Sequence, residues 1–233
     1  MTIHDLDFPF DIKVILYDLD YQKKTMQQKE KVLWNKYPFV EYRRFDYQSY
    51  PPHVNISADA YGAYAWKPAI IKQVVEEQRQ YFSSRMIHSP SLVYWVDAGT
   101  VIIPNACNKL NRDLEFALEH GIYTPENSWV SRWTHPDTAN HTLIQLDPAL
   151  YADRSTLMCS ANTILVDAKN DTIWDNILTR WNECAMDPSC IAPPGSNVKT
   201  NHRYDQAVLS ALMAKHGIPA PNRGRRCIKR GSG

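Results

Sequence analysis

Hydrophobic and polar positions along this chain follow two periods in turn. Strand-like apolar runs occupy residues 12–17, 39–45, 92–96 and 163–166, each cut off by charged or turn-forming residues, with Ile122-Tyr123 as a shorter candidate. Between these runs the spacing becomes helical. Residues 22–34 are polar, with Met26, Val32 and Leu33 as the few apolar positions. In residues 66–82, Trp66, Ile70, Val74 and Tyr81, with Ile71 and Val75 beside them, form a stripe opposite Lys72, Glu76, Glu77 and Arg79. Pro68 stands in that helix's first turn, where a missing N–H costs nothing. Further helices are predicted over 107–120, closed by Gly121, over a segment capped by Asn170 or Asp171 and carrying Ile173, Trp174, Ile177, Leu178 and Trp181, and over 204–216. Tyr50–Val54 is irregular, and the stretches 124–160 and 184–201 lack periodicity, so both are expected to be long loops. Alternating strands and helices predict a mostly parallel α/β sandwich.

A length of 233 residues and a hydrophobic fraction of 44% suit one sizeable domain, assigned to residues 1–221, followed by a basic tail over 222–233. With 26 basic and 25 acidic residues there is no argument for wholesale binding to nucleic acid or a membrane surface. No apolar span of membrane length and no secretory leader stand out. A soluble monomer or a domain of a larger protein is therefore expected, cytoplasmic if the chain is complete and lumenal in the secretory pathway if it is an excised domain. The cysteines form no C-x-x-C pair; Cys184 and Cys190 bracket a turn-like loop that closes as a small disulfide in an oxidising compartment and stays reduced in the cytosol.

Chemistry concentrates where the periodic elements end. The run Val93-Tyr94-Trp95-Val96 delivers Asp97 to a strand end, and Gly99 leaves room there for a ligand or a sharp turn. Asp18-Leu19-Asp20 follows the first strand, Lys67 opens one helix, and His202-Arg203-Tyr204-Asp205-Gln206 opens the last. Carboxylates at strand ends beside cationic helix starts suit a diphosphate ligand. The alternative for Asp97 is a turn cap, and for Asp205 an acid that favours the helix dipole.

Tyr17-Asp18-Leu19, Tyr50-Pro51-Pro52-His53-Val54, Tyr64-Ala65-Trp66-Lys67-Pro68, Trp95-Val96-Asp97-Ala98-Gly99, Cys190-Ile191-Ala192-Pro193 and Arg203-Tyr204-Asp205-Gln206 resemble, in that order and across residues 12–216, glycosyltransferase-like proteins of the GT-A superfamily. The resemblance implies a three-layer α/β/α, Rossmann-like fold and transfer of a sugar from a nucleotide diphosphate donor to a hydroxyl of a glycan or glycoprotein. It implies Asp97 and Asp205 as catalytic residues and Asp18, Lys67, Arg203, Gln206 and Gly99 as donor-binding ones. It also implies Mn²⁺ or Mg²⁺, with Asp97 and, as its partner, His202 or Asp205 as candidate ligands. The sequence departs from that family at Asp97-Ala98-Gly99, which supplies one carboxylate where Asp-x-Asp is usual. A metal-free site would neutralise the leaving diphosphate with Lys67, Arg203 and helix ends.

Trp129, Trp133 and His135 are candidates for acceptor binding, since aromatic faces suit the apolar C–H surfaces of sugars; equally, loop tryptophans serve to pin a loop. Two other functions compete. Val14-Ile15-Leu16-Tyr17-Asp18-Leu19-Asp20 resembles the first motif of haloacid-dehalogenase-type phosphatases, with Asp18 as nucleophile and Asp20 as acid/base, although Gln22 stands where that family has Thr or Val. A catalytically inactive sugar-binding domain is the other.

Overall fold

The computed structural model describes residues 12–19, 37–85, 90–102, 107–221 and 228–230. The predicted helix over 22–34, and Asp20, lie outside the described residues. β1 (Val14–Asp18) and β2 (Val40–Arg44) pair in parallel, Val14 opposite Val40 and Asp18 opposite Arg44, as expected of two strands with a helix-length segment between them.

The remaining pairings run the other way. β3 (Leu92–Val96), β8 (Thr163–Asp167) and β5 (Ile122–Tyr123) form a sheet in the order β3-β8-β5, with both pairings antiparallel. β4 (Thr100–Ile102) pairs antiparallel with β9 (Ile228–Arg230), and β6 (Glu126–Trp129) with β7 (Leu157–Cys159). The molecule is thus a mixed α/β structure with small sheets, and the mostly parallel sheet gives way to one parallel pair among the described residues. An apolar run reads alike in parallel and antiparallel pairing, so sequence alone does not separate them. β8 is buried from Thr163 to Val166, whereas every residue of β3 is only half-buried, because β3 lies at the edge of its sheet.

Four longer helices pack around these strands. α1 spans Trp66–Arg85, α2 spans Cys107–His120, and α4 spans Tyr204–Lys215. α3 runs from Asp171–Ile173 through a π-helical stretch, Trp174–Thr179, into Arg180–Met186. The Asn170 side chain accepts from the Ile173 N–H, the expected cap. Gly121 closes α2 at φ 79, and a Cβ there would meet the Asn170 and Ile173 side chains within 2.4 Å, so glycine is required. Ile70, Ile71 and Val75 of α1 join Ile177, Leu178 and Trp181 of α3 and Val208, Ala211 and Leu212 of α4 in one core. Tyr81, expected in the buried stripe, is 44% exposed; α1 leaves the core before its last turn. No helix among the described residues is long and apolar enough to cross a membrane.

The two expected loops are largely built of short elements. Between β6 and β7 lie the helical turns Val130–Trp133, Pro136–Asn140 and Pro148–Ala152, the last two opened by Pro at a first position and capped by His135 and Asp147. The second stretch holds the turn Pro188–Ile191, and Cys184 and Cys190 are joined by a disulfide that fixes this turn to the end of α3. Both cysteines are fully buried against the core. A loop of this length gives a chain-entropy contribution of about 2 kcal/mol. Cys184→Ser/Cys190→Ser is expected to lower stability by that order in denaturant titration, with the slope of the transition unchanged.

Candidate functional site

Three chemistry-bearing residues, each at the end of a different element, meet around one ammonium group. Lys67, in the first turn of α1, is 4% exposed. Its Nζ lies 3.1 Å from Asp97 Oδ1 at the end of β3 and 3.5 Å from Asp205 Oδ2 in the first turn of α4. The Ala161 carbonyl accepts from the same nitrogen at 3.1 Å. An ammonium has three N–H donors, and each here faces an oxygen. Trp66, Trp95 and Tyr64 surround it, with ring centroids 5.7–5.8 Å from Nζ. Lys67 was expected to reach a donor phosphate; its burial and its partners instead make it the inner counterion of two carboxylates.

Local folding explains how these groups arrive. Residues 61–64 form a left-handed turn, with Tyr61, Gly62, Ala63 and Tyr64 at φ 57, 64, 50 and 54. A Cβ on Gly62 would lie 2.5 Å from the Val54 carbonyl oxygen, so the turn sits tightly on the Tyr50–Val54 segment. The turn leads directly into α1, the Tyr64 carbonyl accepting the Lys67 N–H. Tyr204, just before Asp205, is likewise left-handed at φ 42. Such conformations cost of order 1–3 kcal/mol in side-chain-bearing residues and persist where surrounding structure over-determines them, commonly at functional sites. Both helix starts that carry the cluster's charges are therefore strained.

Asp97 is fixed by its neighbours. Its N–H donates to the Asn162 carbonyl, its own carbonyl accepts from Thr100, and the Trp95 indole N–H donates to Oδ1 at 2.9 Å. Oδ2 accepts no hydrogen bond from the described residues, and the side chain is 39% exposed. Asp97 is thus the carboxylate of the cluster that a ligand can reach. A Cβ added to Gly99 meets nothing within 4 Å, so space remains open beside it.

Asp205 is buried, and its Oδ2 accepts no hydrogen bond, its contact with Lys67 being an ion pair at 3.5 Å. Gln206 Nε2 is also buried and unpaired. Burial pushes the Asp205 carboxyl up to about 6: the Lys67 charge holds it down and the nearby Asp97 charge adds to the rise. For Lys67, burial disfavours the charge, but Asp205 and Asp97 outweigh it and the ammonium holds its proton more tightly than a lysine in water.

Nothing in the pattern of residues marks the 160–162 turn that braces this cluster. Ala161 and Asn162 act through main-chain oxygens, which leave no side-chain signature. Ser160 hydrogen-bonds Asn162, and its carbonyl accepts from Thr124 at 2.6 Å. Ser210 of α4 binds the Cys159 N–H at 3.0 Å, joining β7 to the helix that carries Asp205.

The other expected site residues lie elsewhere or do other work. Asp18 is buried at the end of β1 and accepts a hydrogen bond from Tyr42 of β2. The Arg203 guanidinium stacks on Trp133, 4.2 Å from the ring centroid, and the Arg203 main-chain N–H donates to the Trp133 carbonyl. Trp133 is half-buried against the core, Trp129 is 40% exposed on β6, and His135 caps the Asp137 N–H with its ring.

His202 is fully buried, with Nδ1 accepting the His135 N–H at 3.0 Å and Nε2 2.7 Å from the Ile191 carbonyl. Nε2 therefore carries the proton, and neither nitrogen has a lone pair left for a metal. Nor do the carboxylates fit Mn²⁺ or Mg²⁺, since the space between Asp97 and Asp205 holds the Lys67 ammonium. Among the described residues no group of three or more His, Cys, Asp or Glu gathers as a metal site.

Burial, with repulsion from His135, pushes the His202 imidazole down to about 4 despite the favourable Ile191 carbonyl. A histidine whose folded value lies below its unfolded one binds fewer protons when folded. Stability from His202 is thus complete above pH 6.5 and falls as pH drops toward 4, by on the order of 3 kcal/mol. Asp205, raised to about 6, acts oppositely and partly offsets this loss between pH 6 and 3.8. Asp205→Asn is therefore expected to lose stability more steeply than the wild type below pH 6, as measured by urea unfolding across that range; parallel pH profiles would contradict the two shifts. In comparisons with known proteins the chain matches no family model, no curated protein and no solved structure.

Proposed function

We propose that the Lys67–Asp97–Asp205 cluster is the catalytic centre of a glycosyltransferase that moves a sugar from a nucleotide diphosphate donor to a hydroxyl of a glycan or glycoprotein. The observation that supports this reading is the pairing of an accessible carboxylate, Asp97, with a buried one, Asp205, across a single ammonium. Environments that separate two carboxylates in this way assign them different roles. Asp97, with Oδ2 open, accepts hydrogen bonds from substrate hydroxyls. Asp205, whose proton affinity lies close to neutral pH, suits proton exchange with a reacting hydroxyl. Its unpaired Oδ2 and the unpaired Gln206 amide are polar groups for which a hydroxyl-rich ligand supplies the missing partners. In this reading Arg203, ordered on Trp133 at the start of α4, is the cation that meets the diphosphate, and Trp129 offers an exposed ring to the acceptor.

The phosphatase alternative has less support, because Asp18 is buried and already hydrogen-bonded to Tyr42. A panel of UDP-, GDP- and dTDP-sugars separates the readings: at least one is expected to raise the melting temperature, and no shift with any of them would remove the transferase reading. Asp97→Asn is expected to reduce transfer or donor hydrolysis by about a hundredfold or more while the circular dichroism spectrum stays native. Retained activity would exclude Asp97 from the site.

A further inference from the structure

Two carboxylates converging at the end of a strand and the start of a helix are the usual means of holding a divalent cation, and here the converging point holds a cation that belongs to the chain. We infer that the Lys67 ammonium takes the place of a metal ion between Asp97 and Asp205, so that the site binds its donor without Mn²⁺ or Mg²⁺. The donor part of this inference rests on the transferase reading; the cation part stands on the geometry alone.

That geometry has four independent elements. Nζ lies within ion-pair distance of both carboxylates, at 3.1 and 3.5 Å. The Ala161 carbonyl accepts from it as well, so protein oxygens face the ammonium on three sides. The rings of Trp66, Trp95 and Tyr64 enclose it, which suits a desolvated monovalent cation and offers no oxygen ligands to a hard divalent one. His202, the imidazole next to the start of α4, has both nitrogens committed to main-chain groups. A divalent ion at this point would have to displace the ammonium or stand beside it, and the second arrangement places like charges together in a buried site.

Lys67 is thus a positioning residue: it fixes the separation and charge of the two carboxylates and does not itself touch the substrate. Its removal should create the site it replaces. In Lys67→Ala the carboxylates lose their counterion, and water enters the space to complete a coordination shell.

Mn²⁺ titration of the unliganded protein, followed by the loss of free-ion signal in electron paramagnetic resonance, tests this without any turnover. The wild type is expected to leave the free-ion signal unchanged, and Lys67→Ala to bind one Mn²⁺ per chain, lost again in Lys67→Ala/Asp97→Asn. Stoichiometric Mn²⁺ binding by the wild type that disappears in Asp97→Asn would overturn the inference, and so would a folded Lys67→Ala variant that binds none. If Lys67→Ala does not fold, the wild-type and Asp97→Asn titrations still decide. A second arm adds a chelator to the donor-sugar melting series. A donor-induced shift that persists within about twofold in apparent affinity supports the inference, and one that requires Mn²⁺ overturns it. Absence of a shift in every arm counts against the transferase reading, while the Mn²⁺ titration judges Lys67 by itself.

Discussion

A buried ammonium cannot be left without partners, and that constraint organises this molecule. Desolvating Lys67 is costly unless oxygen atoms replace its lost water, and the replacements come from four parts of the chain. α1 supplies the lysine, the end of β3 supplies Asp97, α4 supplies Asp205, and the turn before β8 supplies the Ala161 carbonyl. Three of these parts are anchored in the buried core, through Ile70 and Ile71 on α1, Ile164 and Val166 on β8, and Val208 to Leu212 on α4, while β3 packs against it through half-buried Val93 and Trp95. The charge cluster and the hydrophobic core are therefore one construction, with the cluster at the rim where the elements end.

The supports of α4 show the same economy. Trp181 donates its indole N–H to the Asp205 carbonyl at 2.8 Å, and Ser210 links the next turn to β7. Upstream, His202 joins the Ile191 carbonyl to the His135 N–H, so the disulfide-anchored turn and the helical turns between β6 and β7 converge just before the helix begins. Tyr204 is held left-handed between these fixed points. A pH-sensitive imidazole at such a junction makes acid the condition under which Asp205 would lose its mooring, whereas its role as a metal ligand is incompatible with the bonds it makes.

Much of this was legible in the sequence, and the rest was hidden for identifiable reasons. The periodicity of residues 66–82, 107–120, 171–181 and 204–216 located the long helices, and the spacing of Cys184 and Cys190 allowed their pairing. The abrupt ends of apolar runs pointed to Asp97, and helix starts to Lys67 and Asp205, which the fold brings together. What the pattern could not convey was direction: β3 and β8 are both apolar runs ending at aspartates, and their antiparallel pairing depends on contacts distant in sequence. It also could not reveal that Lys67 points inward, because a lysine beside a proline in a first turn looks the same whether solvated or buried. The main-chain acceptors Ala161 and Asn162 left no mark, and the short helical turns in 124–160 were too brief to produce a period.

The integrity of the cluster depends on the energetic coupling between Lys67 and Asp205, the buried carboxylate that shares its ammonium with Asp97. A double-mutant cycle of Lys67→Met and Asp205→Asn, read by chemical denaturation at pH 7, measures it directly. Losing Lys67 alone strands a buried carboxylate and is expected to cost about 3–5 kcal/mol, with Asp205→Asn restoring a large part of that in the double variant. Additive effects of the two substitutions would mean that Lys67 and Asp205 do not hold each other in place, and would contradict the account.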